Sequence, residues 1–411
     1  MKKVFALFLA AVIAVSCVVS AAAYDNAELF ANLDTEYYSR FKNDGISINV
    51  YNWGEYISNG EDDSLDVNAA FEELTGIKVN YTFYATNEEL YAKLRAGGAS
   101  YDVIIPSEYM IARMAKEGML EEINLDNIPN FDNIDPSLID MSYDPGNKYS
   151  VPYTWGTVVL VYNTWLVSED TDVETWGLLW NEKYKNNILM FNNPRDAYGI
   201  ALKKIGLELN PENIEQIEKA TVALKEQKPV VQAYVMDEIF DKMGAGEAAI
   251  APYYAGDAIT MMDENPDLAA AFPREGTNIF VDGMCIPKGA KQKEAAEMYI
   301  NFMCEPEVGA ANCEYIGYST PNLASMELLD EEITSNPIAY PPVEVIENAT
   351  YYKLLPDELN KAMDDGWKSL LADDENFTFW LVPALLLLSV ISSITIVVKK
   401  AIRKKREKYY Y

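Results

Sequence analysis

Twenty-two consecutive residues without a charge, Phe377 to Val398, followed at once by seven bases between Lys399 and Lys408, constrain this chain more than any other feature. As a helix rising about 1.5 Å per residue, such a run crosses a hydrocarbon core of about 30 Å. The basic cluster then stays on the cytoplasmic side by the positive-inside rule. The sequence therefore predicts a single-pass membrane helix over 377–398 in contact with lipid, a cytoplasmic tail over 399–411, and the bulk of the chain outside the cell. Pro383 within the run is tolerable, because membrane helices accommodate proline better than soluble ones. The N-terminus agrees. Lys2 and Lys3 precede the apolar stretch Val4 to Val19, and Ser20-Ala21-Ala22-Ala23 supplies small residues for cleavage, which reads as a secretory signal over 1–23. Ala14-Val15-Ser16 is a poor approach to Cys17 as a lipid-modified cysteine.

About 350 residues lie between signal and tail, more than one hydrophobic core usually supports, so two lobes are expected. Residues 4–398 hold 24 bases against 63 acids, a formal charge of −39. Such a field repels nucleic acid and anionic membrane surfaces and concentrates cations. Beyond the signal the cysteines are Cys285, Cys304 and Cys313, an odd number without the spacing of a zinc site or a disulfide framework, so free thiols are expected. Histidine is absent, which removes the usual general base, the usual zinc ligand and every Ser-His or Cys-His pair. Paired carboxylates cleave glycosides, but among 63 acids a chance pair is easy to find. The expectation is a protein that catalyses nothing and holds no cofactor or metal.

After a polar leader over 24–45, strand and helix patterns alternate. Ile46 to Trp53 is β-like, Asp66 to Leu74 puts Val67, Ala70, Phe71 and Leu74 on one helical face, and Ile77 to Phe83 alternates again. Thr86-Asn87-Glu88-Glu89 is a capping box for a helix ending at Gly97-Gly98. Val103 to Pro106 is a short buried strand, and Ser107 opens a helix that Gly118 ends. This order implies a parallel sheet covered on both faces. The rhythm breaks near Ser150 to Tyr153, and a second α/β series follows: strands at Thr157 to Tyr162, Ile188 to Phe191 and Ala248 to Pro252, helices over 196–206, over 211–227 and from Gly256. Ile279 to Ile286 reads as a crossing segment leading to a helix from Lys291 to Met303. The expected division is lobe 1 over 46–152, lobe 2 over 153–282, a return to lobe 1 over 283–352, and a helix with an acidic tether over 353–376. Two lobes joined by more than one strand enclose a cleft, the usual place for a small ligand.

Four blocks in order, Val50-Tyr51-Asn52-Trp53-Gly54-Glu55-Tyr56-Ile57, Tyr91-Ala92-Lys93-Leu94, Tyr101-Asp102-Val103-Ile104-Ile105-Pro106-Ser107-Glu108-Tyr109 and Ile316-Gly317-Tyr318-Ser319-Thr320-Pro321-Asn322, resemble the spermidine/putrescine-binding proteins of polyamine ABC importers. The resemblance covers about residues 46–330. It implies a two-lobed α/β fold of the periplasmic-binding-protein type II class with a hinge, capture of putrescine or spermidine, and delivery to the subunits of an ABC permease. A polyamine is an apolar rod with an ammonium at each end, so its receptor needs spaced carboxylates and aromatic faces between them. By resemblance, Trp53 and Tyr56 wall the cleft with Glu55 beside them, and Ser107 and Tyr109 supply hydroxyls. Asp196 grips an amine, Tyr254 stands at an aromatic position, Phe280 and Asp282 match a Trp-x-Asp pair, and Tyr318 closes the set. Asp282 lies in an apolar segment, where an unpaired carboxylate is costly, and a ligand ammonium is its expected partner. Asp196 has the alternatives of pairing with Arg195 or capping its helix, and Asp257 reads as a helix N-cap. Two positions depart from the pattern: Asn193 stands where the family often has a second carboxylate, which removes one charge from a triamine site, and Phe280 replaces tryptophan. Nothing around Asp364 to Trp367 matches the family's C-terminal polar contact.

Three other readings remain at this stage. Ferric iron held by tyrosinates and carboxylates suits the abundance of tyrosine and the adjacent Tyr253 and Tyr254. An amino-acid receptor requires an arginine for the ligand carboxylate, and Arg195 is the candidate. A membrane-anchored sensor or adhesion protein would keep the fold without transport.

Overall fold

The computed structural model describes residues 26–97 and 100–372. Among the described residues, nine strands form one continuous sheet: β1 (Ser47–Trp53), β2 (Lys78–Tyr84), β3 (Val103–Ile104), β4 (Ser150–Asn163), β5 (Ile188–Phe191), β6 (Val231–Val235), β7 (Ile250–Tyr254), β8 (Leu268–Ala271) and β9 (Ile279–Cys285). Their order is β2-β1-β3-β9-β4-β7-β5-β6, with β8 on β4. β1 runs parallel to both β2 and β3, as the β-α-β rhythm of the first lobe requires. Ile48, Val50, Val103 and Ile104 are fully buried, which is the signature of a strand covered on both faces.

β4 explains the break in rhythm at position 150. Its first half, Ser150–Thr157, pairs antiparallel with β9, and its second half, Val158–Asn163, pairs with β7 and β8. One unbroken strand thus passes from the first lobe into the second. The chain returns through Thr277 and Asn278 into β9, and crosses a third time at Thr350, which pairs with Asn278. Two large apolar cores sit on either side of these crossings. One is built on Val50, Phe71, Tyr299 and Phe302, the other on Val159, Phe191, Tyr198 and Trp176.

Several expectations are corrected. The polar leader is folded onto lobe 1 through the helices Asn26–Ala31 and Thr35–Tyr38. Tyr38 is fully buried, donates to Glu305 Oε1 at 2.6 Å and accepts from Asn301 at 2.8 Å. The expected helix is present over residues 357–372 and packs into the second core through Leu359, Met363, Trp367 and Leu370, while the acidic residues 373–376 lie outside the described residues. Ser107 opens the Glu108–Lys116 helix from its N-cap position, as expected, but without a side-chain cap; it pairs with Asn87 instead. The Thr86 cap forms, accepting from Glu89 N at 3.1 Å, while Glu89 reaches back to Ala85 N rather than to Thr86. Cys285, Cys304 and Cys313 are free and buried. The signal, the apolar run 377–398 and the basic tail lie outside the described residues; among the described residues no helix is long and apolar enough to cross a membrane.

Candidate functional site

A dense constellation of polar side chains faces a cavity between the lobes, the usual position of a small-ligand site. Lobe 1 contributes Trp53, Tyr56, Asn87, Ser107, Glu108, Tyr109 and Tyr318. Lobe 2 contributes Asn193, Asp196, Asp237, Tyr253, Tyr254 and Asp257. The crossing segments add Asn278, Phe280, Asp282 and Tyr352. Among the described residues, five carboxylates and six tyrosines line the space, and no lysine or arginine does.

Helix starts place most of the acids. Glu108 opens the Glu108–Lys116 helix, Asp196 is in the first turn of Pro194–Lys204, Asp257 in the first turn of Ala255–Glu264, and Asp237 precedes Glu238–Gly244. The partial positive charge of a helix N-terminus favours carboxylates there. The fold would otherwise direct these bare N–H groups, good anion sites, at the cleft. Acids in the first turns invert the sign of the site.

Three of the aspartates each accept one tyrosine hydroxyl: Asp282 from Tyr56 at 2.7 Å, Asp196 from Tyr254 at 2.7 Å, and Asp257 from Tyr318 at 2.9 Å. Tyr56 also bonds Thr154. Asp282 is only 4% exposed, and its Oδ1 has no hydrogen-bond partner, an arrangement that is unfavourable without a further donor. Burial pushes the carboxyls of Asp196 and Asp282 up to about 6, against hydrogen bonds that pull each down. Burial, reinforced by Asp282, pushes Glu108 up to about 8, and burial holds Asp257 well above the carboxylate range. The phenols of Tyr56, Tyr109, Tyr254, Tyr318 and Tyr352 are all driven well upward by burial, with neighbouring acids adding to it.

Aromatic faces fill the space between the acids. The Trp53 indole N–H donates to the Ile105 carbonyl at 2.9 Å, which fixes the ring 4.7 Å from Tyr84. Phe280 meets Tyr254 edge-on at 5.6 Å and Tyr318 at 6.3 Å. A Cβ on Gly156 would lie 3.0 Å from the Phe280 ring, so the glycine on the paired strand is what seats that ring.

Ten of the eleven residues singled out from sequence line this cavity: Trp53, Tyr56, Ser107, Tyr109, Asn193, Asp196, Tyr254, Phe280, Asp282 and Tyr318. Glu55 does not. Its backbone is left-handed, with φ 46, and the side chain is exposed on an outer groove. Asn193, not Asp196, caps its helix, accepting from Arg195 N at 3.1 Å, and its amide donates to Tyr254 at 3.4 Å. Asp257 is no N-cap, because the helix begins at Ala255. Glu108, Asp237 and Tyr352 escaped the sequence reading. Glu108 lies within the Tyr101 to Tyr109 block and had the strongest signal. Arg195 does not face the cavity: it packs over the Tyr109 and Tyr352 rings at 5.2 and 4.5 Å and donates to Asn210 and to the Lys353 carbonyl.

The model of a family described as bacterial extracellular solute-binding proteins matches residues 67–341. The spermidine/putrescine-binding periplasmic protein of Escherichia coli (strain K12) is 35% identical over 309 residues, 75% of this chain and 87% of that protein. The putrescine-binding periplasmic protein SpuD of Pseudomonas aeruginosa is 29% identical over 345 residues, 80% of this chain and 92% of that one. Among solved structures, the spermidine/putrescine ABC transporter substrate-binding protein PotD from Streptococcus pneumoniae, crystallised with calcium and HEPES, is 36% identical with a TM-score of 0.66, over 80% of this chain and 99% of that one. A solved chain from Listeria monocytogenes, also 36% identical, reaches a TM-score of 0.75 over 79% and 98%. The two lobes, the crossings and the cleft are the architecture of that group, and this chain belongs to the bacterial extracellular solute-binding protein family.

Proposed function

We propose that this protein is an extracytoplasmic receptor that captures linear polyamines, putrescine and spermidine, and delivers them to an ABC permease without catalysing a reaction. The observation that carries this reading is the cavity's charge: five carboxylates, six tyrosines and no base, with Asp282 Oδ1 buried and unpartnered. A flexible diammonium satisfies both needs, its ends on carboxylates and its methylenes on aromatic faces. The relatives named for these ligands support the same class. Ferric iron is disfavoured, because phenols pushed far upward and donating to carboxylates resist becoming tyrosinates. An amino acid is disfavoured because Arg195, the arginine expected to hold its carboxylate, does not line the cavity.

In the purified protein, putrescine or spermidine at a hundredfold excess over its dissociation constant is expected to raise the melting temperature by about 4 °C. Amino acids and sugars should leave it unchanged. A larger rise with an amino acid than with any polyamine sinks the reading.

The run 377–398 serves, on this reading, as a single-pass anchor with the tail in the cytoplasm, holding the receptor at high effective concentration beside its permease. Surface protease on intact cells lacking an outer membrane should release almost the whole ectodomain and leave a small C-terminal fragment in the membrane. Full protection of the ectodomain reverses the orientation.

A further inference from the structure

The tyrosine–aspartate pairs differ in one respect. Tyr254 and Asp196 lie on the same lobe, whereas Tyr318 packs in the first core and Asp257 stands between Ala255 and Ala258 of the second. The Tyr318–Asp257 hydrogen bond, 2.9 Å, therefore spans the cleft. It is possible only because Gly256 lacks a side chain. A Cβ there would lie 2.1 Å from Tyr318 Cδ2 and 2.4 Å from Cγ and Cε2, distances at which something must move. The ring has little room to yield, since Tyr56 abuts it edge-on at 4.7 Å and 82°. Gly317 continues the seam. It has φ +76, and a Cβ on it would lie 2.6 Å from the Gly256 carbonyl oxygen. Ring on bare backbone and backbone on backbone make a contact between the lobes that any side chain would hold apart.

We propose that Gly256, Gly317, Tyr318 and Asp257 form an interlobe latch that engages only when the lobes close over the ligand, so that Gly256 sets the affinity of the receptor without touching the ligand. The proposal rests on the polyamine reading above for its ligand and on the seam for its mechanism. When the closed, binding-competent state is only partly populated, the observed dissociation constant rises as that fraction falls. Gly256 does not line the cavity. A methyl there lowers the closed fraction for every ligand equally. In the open receptor it meets no ring from the other lobe, and alanine is a better helix residue than glycine.

The test compares wild type with Gly256→Ala in the full chain, each also carrying F83C and W165C. These two exposed positions, 70% and 81% accessible and on opposite lobes, take spin labels that report the interlobe distance. Calorimetric titration is expected to show putrescine and spermidine both weakened about tenfold by Gly256→Ala, and by the same factor. The empty variant should melt at or above the wild-type temperature, and its label distance should stay long at putrescine concentrations that close wild type. Unchanged affinity overturns the latch. So does a lower melting temperature of the empty variant, which would mean that the contact exists in the empty protein, and so does a factor that differs between the two ligands. A wild type that binds no polyamine sinks the ligand reading separately. The latch is then judged on the ligand-free distances and melting, where long distances in both proteins with a Gly256→Ala variant that melts at or above wild type uphold it and a short population in ligand-free wild type overturns it.

Discussion

Asp282→Asn is expected to weaken putrescine binding by about 30-fold to several thousand-fold, or roughly 2–5 kcal/mol. Asp282 sits on β9, paired with β4 on one side and bridged to Ser107 on the other, so its carboxyl cannot swing away when its charge is removed. Tyr56 occupies Oδ2, and Oδ1 stands buried without a partner. An asparagine keeps the volume and still accepts the Tyr56 hydroxyl. What it lacks is the charge that offsets an ammonium taken out of water. The empty protein should lose no stability, because a carboxyl pushed up to about 6 by burial is one whose ionised form the fold disfavours. Calorimetric titration and melting of the empty variant check both halves. Binding within twofold of wild type would show that Asp282 is not the ammonium partner.

How far the sequence reached follows from which interactions are local. Val50, Val103 and their neighbours alternate or run apolar, and Thr86 and Asp66 make caps with residues three positions on, so the first lobe was legible. β6 was not, because four of its five residues are only half-buried or exposed and show no period. Tyr38 lies in a stretch of acids and lysine, and nothing nearby tells that it reaches Glu305, 267 positions away. The same holds at the site. Trp53, Ser107 and Asp196 sit at ends of strands and starts of helices, where short motifs mark them. Tyr352 enters the cavity on the third crossing, joined to Glu108 across 244 positions, and its own neighbourhood carries no sign of that. Glu55 failed for a conformational reason: the turn after Gly54 takes a left-handed residue, and one such residue redirects a side chain out of the cleft.

Helix starts aimed at a cleft are the default anion sites of an α/β receptor, so acids in those first turns decide which sign of ligand the fold can hold. That choice has a consequence for pH. Putrescine affinity is expected to fall about a hundredfold between pH 7 and pH 5. Asp196 and Asp282, each pushed up to about 6 by burial in the cleft, are about nine-tenths ionised at pH 7 and about one-tenth at pH 5, roughly tenfold for each carboxylate. Glu108, pushed up to about 8, is mostly protonated across this range and changes little. The sign for stability runs the other way in the empty protein. A carboxyl whose folded value is raised contributes stability that is present below the ordinary carboxylate range and lost as pH rises through about 6. Acidification from pH 7 to 5 therefore favours the empty fold at these two groups while it removes the charges that hold the ligand, and the melting shift given by putrescine should collapse. Titrations at pH 6 in buffers of different ionisation enthalpy should show release of about one proton per ligand, half from each aspartate. Affinity that is flat from pH 7 to 5, or proton uptake on binding, would remove Asp196 and Asp282 as the cation partners.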